Sequence, residues 1–154
     1  MNAITANIVI FLQNAWSPFY ANGTWPRRSW LHALEQSRSG QRLKLLIDDF
    51  DVCENTTPIV GATPDSVVRP DMAHIQEILE RRRPSVVVAC GRQAERALLD
   101  IWPGRLLAIP HPASRLVTNG LYGYARGMLM SRRPWESERL ALRQRINYVE
   151  VERL

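Results

Sequence analysis

Four short apolar runs punctuate the chain, and each gives way to residues that a strand disfavours. Asn7 to Gln13 (NIVIFLQ) is rich in β-branched residues and reads as a first buried strand. Phe50 to Glu54 reads as a second, entered through Asp48-Asp49. Ser85 to Cys90 (SVVVAC) is the clearest, and Leu106 to Ile109 is the fourth, running straight into Pro110-His111-Pro112. Helical periods lie between them. Ser29 to Ser37 sets Trp30, Leu31 and Leu34 on one face, with Gly40 as a stop. Pro70 to Arg82 opens on proline with an acidic first turn. Its apolar face is Ile75, Ile78 and Leu79, and Arg81-Arg82-Arg83 stand where the helix dipole favours positive charge. Gln93 to Asp100 follows a turn at Gly91. The tail from Trp135 to Leu154 reads as a charged amphipathic helix packing through Leu140, Leu142 and Ile146.

Continuous apolar strands alternating with helices predict an α/β protein whose parallel sheet is covered on both faces. The expected architecture is a single three-layer domain over residues 1–154 with a central four-stranded parallel sheet. Two loops exceed what a connector needs: Ala15 to Pro26, rich in Ser, Pro, Asn, Gly and Trp, and Asn55 to Arg69. Folds of this kind bind ligands outside the carboxyl ends of the strands. That edge would gather Leu12-Gln13-Asn14-Ala15-Trp16, Glu54-Asn55-Thr56-Thr57-Pro58 and His111-Pro112-Ala113-Ser114-Arg115. Two carboxamides and one imidazole then share a pocket. Such a set suits cutting a base from its sugar better than hydride or phosphoryl transfer.

Composition narrows the classes. At 154 residues and 45% hydrophobic, the chain can bury a core. No apolar run is long enough to span a bilayer and no signal peptide is evident, so a cytoplasmic protein is expected. Cys53 and Cys90 sit inside apolar runs, as buried reduced thiols do, and two cysteines exclude a four-cysteine zinc or iron–sulfur site. His32, His74 and His111 lack metal-ligand spacing, so no metal is expected. A net charge of +5 and a pI near 9.9 point to an acidic partner, nucleic acid being the commonest. Every basic residue but Lys44 is arginine, the better fork for phosphate. No Walker-type loop or carboxylate cluster supports a nucleotide hydrolase, and Asp48, Asp49 and Asp51 fall at the entry end of their strand.

The strand-end segments resemble the uracil-DNA glycosylase superfamily, most closely its single-strand-selective monofunctional branch. Where that branch has Gly-Met-Asn-Pro-Gly after the first strand, this chain has Leu12-Gln13-Asn14-Ala15-Trp16. Its Asn-x-Cys-Pro-Leu is matched by Asn55-Thr56-Thr57-Pro58-Ile59, and its His-Pro-Ser-Pro-Arg-Asn by His111-Pro112-Ala113-Ser114-Arg115-Leu116. Pro84 to Ala94 is similar to the strand-Gly-x-x-Ala-helix segment of the superfamily. The likeness runs from about Asn7 to Asn119. Leu12, Ala15 and Trp16 depart from the pattern in the loop that should meet the flipped base and its water.

The resemblance implies a monofunctional enzyme that extrudes a base and hydrolyses its N-glycosidic bond, without a cofactor. As the bond lengthens, negative charge grows on the base and positive charge on the sugar. His111 is the candidate donor to the leaving base, and Asn14 the candidate holder of the attacking water. Asn55 would read the polar edge of the base, fitting uracil or, turned over, cytosine. Trp16, Phe19 and Trp25 are candidates to stack on the base or close the pocket, whereas Trp30 reads as core. Arg115 and Leu116 would fill the gap left by the base, with Ser114, Arg27, Arg28 and Arg92 near phosphate; Arg81 to Arg83 read as a solvated helix end. No lysine lies near a motif, which disfavours a Schiff-base lyase step. The expected partner is DNA, single- or double-stranded, bound by a monomer. Two alternatives stand beside repair of uracil or a 5-substituted uracil. One is an antiviral glycosylase that excises a hypermodified base, such as glucosylated hydroxymethylcytosine. The other is a non-catalytic nucleic-acid-binding module.

Overall fold

A computed structural model describes residues 7–14, 23–61, 69–114, 119–131 and 139–142. β1 (Ile8–Leu12), β3 (Cys53–Asn55), β5 (Val86–Cys90), β6 (Arg105–Ile109) and β7 (Arg139–Ala141) form one sheet in the order β3-β1-β5-β6-β7, with every pairing parallel. The helices are α1 (Arg27–Gln36), α2 (Arg38–Leu43), α3 (Met72–Arg82), α4 (Arg92–Ile101) and α5 (Asn119–Met130). Among the described residues this sheet therefore has five strands, one more than the periodicity predicts.

Strand side chains alternate between the two faces, and two cores result. Ile8, Ile10, Leu12, Val86, Val88 and Ile109 pack against Trp30 and Leu34 of α1, Leu43 of α2, and Leu121, Tyr122 and Ala125 of α5. Val9, Phe11, Val87 and Ala89 pack against Ile75 and Ile78 of α3 and Ala94 and Leu98 of α4. Each such aliphatic side chain, fully buried, contributes roughly 1.5–3 kcal/mol. All five positions of β1 and of β5 are buried, which is why those runs carry no polar alternation.

Three expectations need correction. Phe50–Val52 is a turn of 3-10 helix, capped by the Asp49 carboxylate accepting from the Asp51 N–H, so only Cys53–Asn55 is strand. Gly40 does not stop a helix. It lies inside α2, where a Cβ would fall 1.8 Å from the Leu34 carbonyl oxygen, so glycine permits the close turn from α1 into α2. In the tail, Arg139–Ala141 is an edge strand pairing with β6 rather than part of a helix.

Two features went unanticipated. α5 forms despite three glycines because Leu121, Tyr122, Ala125 and Leu129 bury one face. β2 (Gly23–Thr24) pairs antiparallel with β4 (Val60–Gly61), tying together the long loops that follow β1 and β3. Cys53 and Cys90 are buried free thiols. Burial pushes the Cys53 thiol up to about 12, so neither an exposed nor an activated thiolate arises there. No helix among the described residues is long and apolar enough to cross a membrane.

Candidate functional site

All strands of the sheet point the same way, so the segments after β1, β3 and β6 emerge at one edge. Hydrogen bonds stitch the first two together. The Thr56 N–H donates to the Leu12 carbonyl (2.9 Å), and the buried Thr56 and Thr57 hydroxyls donate to the Gln13 carbonyl (2.7 and 3.4 Å). Behind the third, Gly91 adopts φ +93°, and the position of a Cβ there lies 3.5 Å from the His111 Cβ.

A cavity of about 240 Å³ opens at this edge, lined by Asn14, Asn55, His111 and Trp25, with Leu12, Trp30 and Leu34 as apolar wall. The strand-end residues singled out from sequence are thus neighbours around one space. Ala33, Ser37 and Ser39, at the α1–α2 junction, complete the lining. None of these residues carries a carboxylate or a fixed positive charge.

Asn55 is the most informative of them. It is 2% exposed, yet its side-chain oxygen and nitrogen both lack a hydrogen-bond partner among the described residues. Leaving a buried amide unpaired costs on the order of 1–3 kcal/mol. Such groups are rare in native interiors and call for a reason. Here the residue lines the cavity, which sets its amide beside whatever enters.

His111 is partly buried, and burial lowers its pKa to about 4, so the ring is neutral near pH 7. The Ala113 backbone N–H donates to His111 Nδ1 (3.0 Å). A neutral imidazole that accepts at Nδ1 carries its proton on Nε2. It is therefore a hydrogen-bond donor at Nε2, set by the backbone. Asn14, half-buried at the end of β1, adds a neutral group that both donates and accepts.

The remaining expectations divide. Arg27 does not stand free for phosphate. Its guanidinium donates to Glu54 Oε1 (2.9 Å) and to the carbonyls of Asp51 and Cys53 (2.9 and 3.0 Å), and it stacks 5.9 Å from the Trp30 ring centroid. It closes the outer edge of β3, where strand carbonyls would otherwise be exposed. Arg82 is not a solvated helix end either, since it donates to Glu54 Oε2 at 2.6 Å. Arg28 and Arg92 are exposed. Arg92 begins α4 and borders a separate groove with Arg96 and Met72, away from the Asn55 cavity. Ser114 closes a turn on His111, its N–H donating to the His111 carbonyl (2.9 Å). Trp16, Phe19, Arg115 and Leu116 lie outside the described residues.

Sequence reasoning missed Arg42 and Tyr122, which hold the His111 loop from two helices. Arg42 lies in the last turn of α2 and Tyr122 within α5, with no motif around either. Among the described residues, no group of three or more His, Cys, Asp or Glu side chains is placed to hold a metal ion. Fold and cavity define an α/β protein with a neutral polar pocket at the carboxyl edge of its sheet. Comparison of the chain with protein-family models, curated proteins and solved structures finds no match.

Proposed function

We propose that this chain is a monofunctional DNA glycosylase of the uracil-DNA glycosylase kind, acting on a uracil-like or modified pyrimidine. The observation that carries the reading is the buried amide of Asn55, without a partner among the described residues, in the same cavity as His111 and Asn14. A pyrimidine edge presents the alternating donors and acceptors that such an amide lacks. The cavity lies just below the roughly 300–1,000 Å³ of pockets for drug-sized ligands, which favours a single ring with at most a modest substituent.

In this reading the extruded base enters against Trp25, with its polar edge on Asn55. Asn14 holds a water at the anomeric carbon. Water oxygen bonds to that carbon as the glycosidic bond breaks, and the bonding pair leaves on the base nitrogen. The His111 Nε2–H donates to the oxygen where that charge collects. Preorganised donors of this type contribute roughly 3–4 kcal/mol each. One of the water's protons passes through solvent to the released base and the other stays on the new sugar hydroxyl, leaving an abasic site. The sole lysine, Lys44, ends α2 and does not line the cavity, in keeping with hydrolysis rather than a lyase step. The net charge of +5 suits a polyanionic substrate.

The test is base release, read by mass spectrometry, from matched single- and double-stranded DNAs. These carry uracil, hydroxymethyluracil, hydroxymethylcytosine or glucosylated hydroxymethylcytosine. Release of uracil or its 5-substituted form supports repair-type chemistry. Release of the glucosylated base alone moves the function to defence against modified phage DNA. No release from any of them, with DNA still bound, rejects the enzyme in favour of a binding module.

A further inference from the structure

We infer that Arg42 is a positioning residue of this site: it clamps the loop that carries His111 and thereby fixes the aim of the imidazole. The inference rests on the role proposed for His111. Arg42 lies on α2, and its Nη1 donates to the carbonyls of Pro112 (2.7 Å) and Ser114 (3.0 Å), some 70 residues along the chain. From α5, the buried Tyr122 hydroxyl donates to the Pro110 carbonyl (2.7 Å). Carbonyls on both sides of His111 are thus held by helices packed on the same face of the sheet.

Between these anchors the backbone has little freedom. The Ser114 N–H closes a turn on the His111 carbonyl, and the Ala113 N–H meets Nδ1. That last bond selects the Nε2–H tautomer, and it survives only while residues 112–114 keep their course. Bonds from a guanidinium are roughly twice as strong as neutral ones, so Arg42 is the firmer of the two anchors. Arg42 does not line the cavity. It acts through the loop and touches no substrate. Among the described residues no charged side chain lines the cavity beside His111, so the ring's state depends on burial and on this loop.

The experiment compares the full chain with Arg42→Met and Arg42→Lys. Nitrogen-15 NMR of the imidazole reads tautomer and titration midpoint without DNA, and single-turnover base release reads the chemistry. The wild type should show the Nε2–H form and a midpoint near 4. Arg42→Met should mix the tautomers, move the midpoint up toward 6.5 and slow release by roughly 10–100-fold, the effect of a small misplacement. DNA affinity should be unchanged. Arg42→Lys should recover part of each, since both bonds come from one nitrogen that an ammonium can replace, but on a shorter side chain. An unchanged tautomer and midpoint in a folded variant overturns the inference, even if stability falls. Should Arg42→Met fail to fold, Arg42→Lys decides by the same readouts. If the wild type releases no base, the glycosylase reading fails, yet the NMR comparison still decides the role of Arg42.

Discussion

Replacing Asn55 by leucine should make the free protein more stable while abolishing its ligand response. The side chains share a branched outline of four heavy atoms, and the cavity beside residue 55 can take the greater bulk of the leucine methyls. The amide it removes is buried with neither polar atom bonded to a described residue. Relief of that penalty is worth on the order of 1–3 kcal/mol. The strand position adds in the same direction, because asparagine is depleted in strands. For a chain of this size a gain of about 1 kcal/mol raises Tm by roughly 2–4 °C. Urea titration of both proteins, with m compared to confirm a two-state reading, gives the difference directly. A second arm adds free pyrimidine base. A ligand at about 100 times its Kd should stabilise the wild type by about 2.7 kcal/mol and leave Asn55→Leu unmoved. A lower midpoint for Asn55→Leu at unchanged m would refute the reasoning. The amide would then already be satisfied in the free protein and would not be reserved for a ligand.

Other expectations follow from the same geometry. His111→Ala and Asn14→Ala should each slow base release, His111→Ala by about 10²–10³-fold as for loss of one oxyanion donor. DNA binding by fluorescence anisotropy should hardly change, and equal loss of binding would count against both roles. The folded pKa of His111 is depressed from 6.5 to about 4, so the unfolded chain binds more protons between those values. Its stabilising contribution is complete above pH 6.5 and is lost as pH falls toward 4. Urea midpoints should drop across that window in the wild type and drop less in His111→Gln. Glu54→Gln should cost about 3 kcal/mol, because it strips the buried partner from Arg27 and Arg82. Arg27→Gln should lower stability without altering the salt dependence of DNA binding. Arg92→Gln should instead reduce that log–log slope by about 0.9, the signature of one lost phosphate contact.

The strands that are buried on both faces were the legible part of the fold. Ile8–Leu12 and Val86–Cys90 read unambiguously because no residue in them faces water. Phe50–Val52 misled because a buried Phe50 beside a buried Cys53 looks like strand, whether the backbone is extended or coiled into one tight turn. Arg139–Ala141 is three residues at a sheet edge, half-buried or exposed, and so carries no strand signal of its own. The charged run from Trp135 to Leu154, with Leu142 and Ile146 four apart, was the stronger pattern. α5 was invisible because glycines lower its propensity and only packing against the sheet rewards it. The candidate site was legible where it depends on residue type at a strand end, as for Asn14, Asn55 and His111. It was illegible where it depends on contacts such as Arg42 with Pro112, which no local pattern encodes.

Among the described residues, charges stand around the pocket, not in it. Glu54 is spent on Arg27 and Arg82, Asp48 on Arg126, and Arg42 on loop carbonyls. What faces the cavity is a set of neutral dipoles. Such a pocket can favour an anion through aligned donors in a region of low dielectric. Its described lining offers no carboxylate to a cationic sugar and no acid of useful strength to the base, since His111 stays neutral to about pH 4. In the proposed reaction the departing base must therefore bear most of its own charge. Rates of release should rise steeply with the acidity of the base nitrogen that leaves. A 5-fluoro substituent should speed the reaction and an electron-donating one should slow it. Single-turnover rates over a series of 5-substituted uracils of similar size measure the slope. A flat series with chemistry rate-limiting would mean that the base is protonated as it leaves, and the neutral assignment of His111 would have to be abandoned.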